Sequence, residues 1–339
     1  MTPSPQVQLS REVRLKQRPV GMPTPADFDL ATVEVGAPKD GEVQVKNLYM
    51  SVDPYMRGRM TDRPSYVPPF EIGAALQGGA IGEVIASGAD GFKPGDIVSS
   101  MFGWREAFTA DAKHLQKIET HGLPVQAFLG VAGMPGLTAY VGLTRAAEMK
   151  AGDIVFVSAA AGAVGQVACQ VARLKGCTVI GSAGGPEKTA FLREIGVDHV
   201  IDYKAEPDLK AALRRAAPNG IDVYFENVGG AHLEAALDSA RVNARFAVCG
   251  MISIYNDEKP EPGPSNLALI IGKRLRLQGF IVSDHFDVAP EFVGELSGWI
   301  KSGQFHYRET VDEGIDAAPA AFLKLFTGEN IGKMLVKLA

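Results

Sequence analysis

The chain has 339 residues, 46% hydrophobic and 22% charged, with a formal net charge of −5. That length suits about two domains with real cores, and without a basic excess a nucleic-acid partner is not expected. The N-terminus has no signal-peptide core, and no apolar run approaches the ~20 residues of a membrane-spanning helix. A soluble, cytoplasmic protein with no membrane partner is the default expectation.

Residues 1–125 are written in short alternating runs broken by Gly and Pro, such as Glu42–Lys46, Gly79–Ile85 and Lys93–Val98. Such runs predict an irregular β-barrel or sandwich-like domain. From about Pro124 the pattern changes to alternating helix and strand. Leu129–Ala147 reads as a helix after an irregular Gly-Met-Pro-Gly start. Strands are predicted at Asp153–Ser158, Thr178–Gly181, His199–Asp202, Ile221–Phe225, Arg245–Cys249 and Leu275–Val282. Helices are predicted after Gly165, over Pro186–Gly196 and over His232–Ala240. This β-α-β alternation implies a parallel sheet with right-handed crossovers. Phe305–Glu309 and Lys333–Leu338 read as short strands that return to the first domain. The expected fold class is therefore α/β plus β: residues 1–125 and 305–339 form a β-rich domain, interrupted by a doubly wound dinucleotide domain over 126–304.

The most informative segment is Ser158-Ala-Ala-Ala-Gly-Ala-Val-Gly165, between an apolar strand and a helical repeat of Val164, Val167, Ala168, Val171 and Leu174. Ala160, Gly162 and Gly165 take the places of the dinucleotide glycine triplet. Small residues there allow a tight turn, a close approach to pyrophosphate and a close helix–strand contact, and the helix N-terminus offers free N–H groups. A domain that prefers NAD carries an acid at the tip of the second strand. Here the tip reads Ile180-Gly-Ser-Ala-Gly-Gly-Pro-Glu-Lys188, with no acid at or near Ser182. That leaves room for a 2′-phosphate, and Lys188 places a cation at the next helix; a solvated surface lysine is the alternative. NADP is the expected cofactor.

Several segments together resemble one branch of the medium-chain dehydrogenase/reductase superfamily. They include Ser51-Val-Asp-Pro-Tyr-Met-Arg57, Gly133-Met-Pro-Gly-Leu-Thr-Ala-Tyr140, Asp222-Val-Tyr-Phe-Glu-Asn-Val-Gly-Gly230, Cys249-Gly-Met-Ile-Ser253 and Gly328-Glu-Asn-Ile-Gly332. The branch contains prostaglandin reductases, plant alkenal double-bond reductases and bacterial curcumin reductases. The resemblance implies a GroES-like β domain carrying an inserted Rossmann domain, and a zinc-free enzyme that dimerises through the Leu275–Val282 sheet edge. The dispersed histidines and three scattered cysteines offer no zinc-ligand spacing of their own.

Carried over by position, the resemblance puts the pyrophosphate on Gly162, Ala163, Val164 and Gly165, and the 2′-phosphate on Lys188 and Tyr203. Asn227, Cys249, Ile252, Ser253 and Tyr255 follow strand ends at the cofactor edge. Phe280, Ile281 and Val282 end the sixth strand near the nicotinamide, Asn330 comes from the C-terminal return, and Met134 and Thr138 begin the irregular helix. The chemistry implied is NADPH-dependent reduction of the C=C bond of α,β-unsaturated ketones and aldehydes. Hydride addition at the β-carbon leaves charge on the carbonyl oxygen, and a preorganised donor there is the largest catalytic need. Tyr255 is the candidate donor, a neutral hydroxyl on a rigid ring. Tyr55 and Tyr66 are candidates to line the substrate pocket with Met134, or to be structural loop aromatics. Arg57 would steer a polar substrate, or serve as an ion-paired surface arginine. A quinone reductase of the same superfamily and a non-enzymatic NADPH sensor are the alternatives left open.

Overall fold

The computed structural model describes residues 8–120, 122–259 and 262–339. The chain forms two compact units. One comprises Met1–Leu129, Thr310–Asn330 and Met334–Ala339; the other comprises Gly130–Glu309 and Ile331–Lys333.

In the first unit β1 (Gln8–Leu15) and β2 (Phe28–Val35) pair antiparallel. Strand β3 (Glu42–Ser51) is the hub of a larger antiparallel sheet, pairing with β4 (Ala80–Ser87) and with β6 (Ala107–Asp111). The sheet continues through β5 (Ile97–Ser100) to β7 (Gln116–Lys117). Val43, Val45, Val84 and Val98 bury one apolar face of this sheet with Phe108. A single helical turn, α1 (Met56–Arg59), follows β3.

The second unit holds six parallel strands: β8 (Ile154–Val157), β9 (Thr178–Ala183), β10 (His199–Asp202), β11 (Ile221–Glu226), β12 (Ala240–Val248) and β13 (Arg276–Gly279). Their order is β10-β9-β8-β11-β12-β13, so the order in which strands are added reverses between β8 and β11 while all stay parallel. Crevices at such a switch point are where doubly wound sheets bind ligands. The interior strands are buried on both faces, which is why they are apolar runs and not alternating ones. Helices α2 (Met134–Val141), α3 (Gly165–Leu174), α4 (Pro186–Glu194), α5 (Leu209–Ala216), α6 (Gly230–Ser239), α7 (Leu269–Lys273) and α8 (Ala289–Lys301) connect and flank them.

Three expectations are corrected here. The Leu129–Ala147 helix is shorter: α2 begins at Met134 and widens into a π-helical turn over Gly142–Ala146. Gly142 lies so close to two aromatic rings that an added Cβ would sit 2.5 Å from Phe225 and 2.7 Å from Phe280. The sixth strand ends at Gly279, not Val282, because its partner β12 ends at Val248 and the last pair is Val248–Gly279. Phe280 and Ile281 lie beyond the strand, and Val282 opens a short helical turn.

The third correction concerns the C-terminal return. Phe305–Arg308 forms no strand and belongs to the nucleotide unit; β14 (Glu309–Glu313) begins only at Glu309. Its backbone is instead clasped by two glutamines of α3 that have no exposed surface. Gln170 donates to the His306 carbonyl at 2.7 Å and accepts from the His306 N–H at 2.9 Å. Gln166 does the same for Arg308, at 3.2 and 3.0 Å. The side-chain amides thus take the place of a neighbouring strand. Helix α9 (Ala318–Thr327) and β15 (Lys333–Lys337) complete the first unit, where Phe322 packs edge-on against the fully buried Trp104. The expected borders at 126 and 305 lie at Gly130 and Thr310, and Ile331–Lys333 also belongs with the nucleotide unit.

Candidate active site

The turn between β8 and α3 is shaped for an anion. Ala159 takes a left-handed backbone (φ 47°), the Ala160 N–H donates to the Ser182 carbonyl, and the Gly162 N–H donates back to Ala159. A Cβ on Gly165 would lie 2.3 Å from the Ala159 oxygen, so only glycine lets the helix start this close to the turn. Among the described residues the N–H groups of Val164 and Gly165 have no protein acceptor, while the turn at Gly162 is bridged to Gly332. They stand at the positive end of a ten-residue helix. This cradle fits a pyrophosphate.

At the tip of β9 and β10 the chain brings two cations, Lys188 and Lys204, close enough to feel each other's charge. Lys188 is half-buried and forms no ion pair among the described residues; burial and the like charge of Lys204 lower its pKa. Gly184 allows Tyr203 and Lys204 to close in, since a Cβ there would meet the Tyr203 ring at 2.8 Å and the Lys204 side chain at 3.0 Å. Asp202 faces inward to the loop, its carboxylate accepting the N–H groups of Gly185 and Lys204 at 2.9 and 3.1 Å. Lys204 was missed from the sequence, although its place beside Tyr203 after β10 was a usable signal.

Three strand ends are tied together at the switch point. Glu226, the last residue of β11, is fully buried. Its Oε1 accepts from Tyr224 Oη (2.8 Å), Ser158 Oγ (3.1 Å), Val228 N (2.6 Å) and Gly229 N (2.9 Å). Its Oε2 has no partner, and burial raises its pKa despite those donors. The carboxyl therefore keeps its proton to higher pH than a free glutamic acid does. Asn227 donates its amide N–H to Ser158 Oγ at 2.9 Å and its side-chain N–H to the Ser158 carbonyl at 2.7 Å. The loop after β12 rests on the same turn, for Cys249 and Gly250 N–H both donate to the Glu226 carbonyl at 3.0 Å, and Ile252 and Ser253 donate to Asn227 and Val228. Neither Glu226 nor Ser158 was singled out from sequence; the Phe-Glu-Asn-Val-Gly-Gly run held the clue.

Tyr255 folds back over this loop. Its hydroxyl oxygen accepts the Met251 N–H at 3.3 Å, which leaves its own proton free to donate. Burial raises its pKa, keeping the phenol protonated. A Cβ on Gly250 would lie 2.9 Å from that hydroxyl. Gly250→Ala is therefore expected to displace the donor and lower kcat about tenfold, with a smaller change in NADPH affinity; steady-state kinetics beside a binding titration check this. Cys249 is no nucleophile: burial, with nearby Glu226, pushes its thiol up to about 12.

The remaining candidates fall differently. Met134 is 43% exposed at the start of α2, and the Thr138 hydroxyl donates to its carbonyl at 2.8 Å. In the first unit, Tyr55 packs half-buried on the main core, and burial raises its phenol pKa; Tyr66 is 64% exposed. Arg57 is not a steering charge on the surface. It is buried in α1, donating to the Gly21 carbonyl at 2.8 Å and to Thr61 Oγ1 at 3.2 Å, so its guanidinium staples loops. Asn330 is buried at the end of the Thr310–Asn330 segment. No group of three or more His, Cys, Asp or Glu side chains among the described residues could hold a metal ion.

A six-stranded sheet of this order, with an anion cradle after its first strand and a cation pair after its second, defines a dinucleotide-dependent oxidoreductase. Residues 11–118 match the family described as the N-terminal domain of oxidoreductase, and residues 163–298 match the zinc-binding dehydrogenase family. The chain belongs to the medium-chain dehydrogenase/reductase superfamily, in the branch of curcumin, alkenal and prostaglandin reductases. It is 43% identical to the 2-alkenal reductase (NADP(+)-dependent) of Nicotiana tabacum, over 97% of this chain and 98% of that one. It is 41% identical to the NADPH-dependent curcumin reductase of Escherichia coli, over 98% of each. The crystal structure of CurA from Vibrio vulnificus in complex with NADPH superposes with a TM-score of 0.92, at 39% identity, covering 97% of this chain and 99% of that one. NADPH is the cofactor of this chain.

Proposed function

We propose that the protein reduces the C=C bond of α,β-unsaturated ketones and aldehydes. The observation that carries this reading is Tyr255, a protonated hydroxyl that already accepts one backbone N–H and has its proton to give. Bound NADPH supplies the hydride. The protein's own part is to hold the pyrophosphate along the turn Gly162–Gly165, on the N–H groups of Val164 and Gly165 with Ala163 beside them, and the 2′-phosphate between Lys188, Tyr203 and Lys204. Asn227, Cys249, Ile252 and Ser253 form the wall of strand ends beside the nicotinamide half, with Phe280, Ile281 and Val282 beyond β13 and Thr138 on α2; Asn330 is assigned to the cofactor by resemblance. Tyr255 donates to the substrate carbonyl oxygen as enolate charge develops there. The N–H it accepts polarises its O–H, so the donor strengthens where charge appears. Tyr55, Tyr66 and Met134 are assigned to the substrate, whereas the buried Arg57 acts on it only by holding its loop.

A panel of enones and enals, followed by loss of NADPH absorbance, tests this; turnover with several enones is expected. NADPH binding without turnover of any enone would overturn it, and a clear preference for quinones would move it to quinone reduction. The reading includes a homodimer in the cytoplasm. Its support is β13, an edge strand with β12 on one side only, near Ile271, which is 80% exposed. Sedimentation at micromolar concentration showing monomer alone would remove the dimer.

A further inference from the structure

His232, in the first turn of α6, is buried and has no part in the mechanism above. Its Nε2 lies 2.9 Å from Ser182 Oγ, which has no exposed surface. Phe156 stacks on the imidazole, with centroids 6.5 Å apart and planes 10° apart, and Tyr203 meets it edge-on at 5.2 Å. The ring therefore joins the tip of β9 to the residue after β10, the two places that frame the cationic pocket of Lys188 and Lys204. Burial holds its pKa down to about 4, so it is a neutral imidazole at ordinary pH.

A neutral imidazole has one donor and one acceptor nitrogen, and the Ser182 contact decides which is which. Among the described residues the Ser182 hydroxyl has no other acceptor than Nε2. If Nε2 carried the proton, the serine proton would be buried without a partner, which is unfavourable. The satisfied arrangement has Ser182 donating to Nε2, which puts the ring proton on Nδ1. That nitrogen has no partner among the described residues.

We infer that His232 offers Nδ1–H as a hydrogen-bond donor to the 2′-phosphorylated ribose of the cofactor, with Ser182 as the positioning residue that fixes the tautomer. The inference rests on NADPH as cofactor but not on the identity of the reduced substrate. Lys188 and Lys204 supply charge to the phosphate, and His232 adds a direction to it.

The test is calorimetric binding of NADP⁺, NAD⁺ and adenosine 2′,5′-bisphosphate to the full chain. His232→Leu is expected to weaken NADP⁺ and the bisphosphate about tenfold or more, the loss of one hydrogen bond to a charged group, and NAD⁺ less than twofold. His232→Asn, which keeps a donor near the Nδ1 position, is expected to recover part of that loss, and Ser182→Ala to give an intermediate one. Nitrogen-15 correlation spectra of the wild-type imidazole are expected to show the Nδ1–H tautomer. Equal weakening of NAD⁺ and NADP⁺ would overturn the inference, as would an Nε2–H tautomer, which can be read even if the leucine variant does not fold. A wild-type chain that binds neither dinucleotide would instead refute the cofactor assignment itself.

Discussion

Tyr255→Phe is expected to lower kcat for enone reduction by about two orders of magnitude while leaving NADPH affinity within about twofold. The variant keeps the ring and its packing over Gly250 and removes only the hydroxyl. A donor aimed at developing oxyanion charge is worth about 3–4 kcal/mol in the transition state and little in the ground state, so the loss belongs in kcat more than in KM. The Met251 N–H loses its acceptor in the variant, but it lies in a partly exposed loop where water can replace it. Stopped-flow measurement of hydride transfer, beside a cofactor titration, separates the two quantities. A variant that retained more than about a third of the wild-type rate would remove Tyr255 from the reaction and leave the cofactor site intact.

Glu226→Leu is expected to destabilise the nucleotide unit by about 4 kcal/mol in urea unfolding, and Glu226→Gln by about 1 kcal/mol or less. Oε1 gathers four donors in a fully buried place. Leucine leaves three of them without an acceptor, Ser158 Oγ keeping the Phe225 carbonyl at 3.3 Å, and each unmet buried donor costs about 1–3 kcal/mol before the loop relaxes. Glutamine keeps an acceptor at Oε1. The pH dependence has a definite sign. Burial raises the native pKa above the ordinary 4.5, so between 4.5 and the native value the folded chain holds a proton that the unfolded chain has released. Stability from this group is fully present below 4.5 and declines as pH rises through the native pKa. The glutamine variant should lack that decline. An identical pH slope in both proteins would mean that Glu226 is ionised in the fold.

Much of this was legible in the residues because it is local. The apolar strands of the nucleotide unit, the small residues at Ala160, Gly162 and Gly165 and the acid-free tip at Ser182 carry their meaning within a few positions. What stayed hidden depends on partners far along the chain. Gln166 and Gln170 read as the polar face of an amphipathic helix, and nothing nearby shows that an extended segment will cover them. That same segment, apolar at Phe305 and Tyr307, imitates a strand because its backbone is paired, although by side chains. Phe280 looked like the end of a strand because strand length is set by the neighbour, and β12 stops at Val248. Arg57 looked like a charge for substrate because the Gly21 carbonyl that occupies it comes from a loop 36 residues earlier.

The glutamine clasp also bears on the order of events while the chain is being made. Helix α3 carries the start of the phosphate cradle, yet Arg308, which satisfies Gln166, is synthesised 142 residues later. At ribosomal speeds that interval lasts roughly seven to thirty seconds. During it the nucleotide unit has its central strands, but the Gln166 amide lacks its backbone partner and the Gln170 amide has only the Gln166 carbonyl of its own helix. Gly332, whose N–H donates to the Ala161 carbonyl beside the cradle, emerges later still. A nascent chain therefore completes the contacts around its phosphate cradle only after Gly332 has emerged.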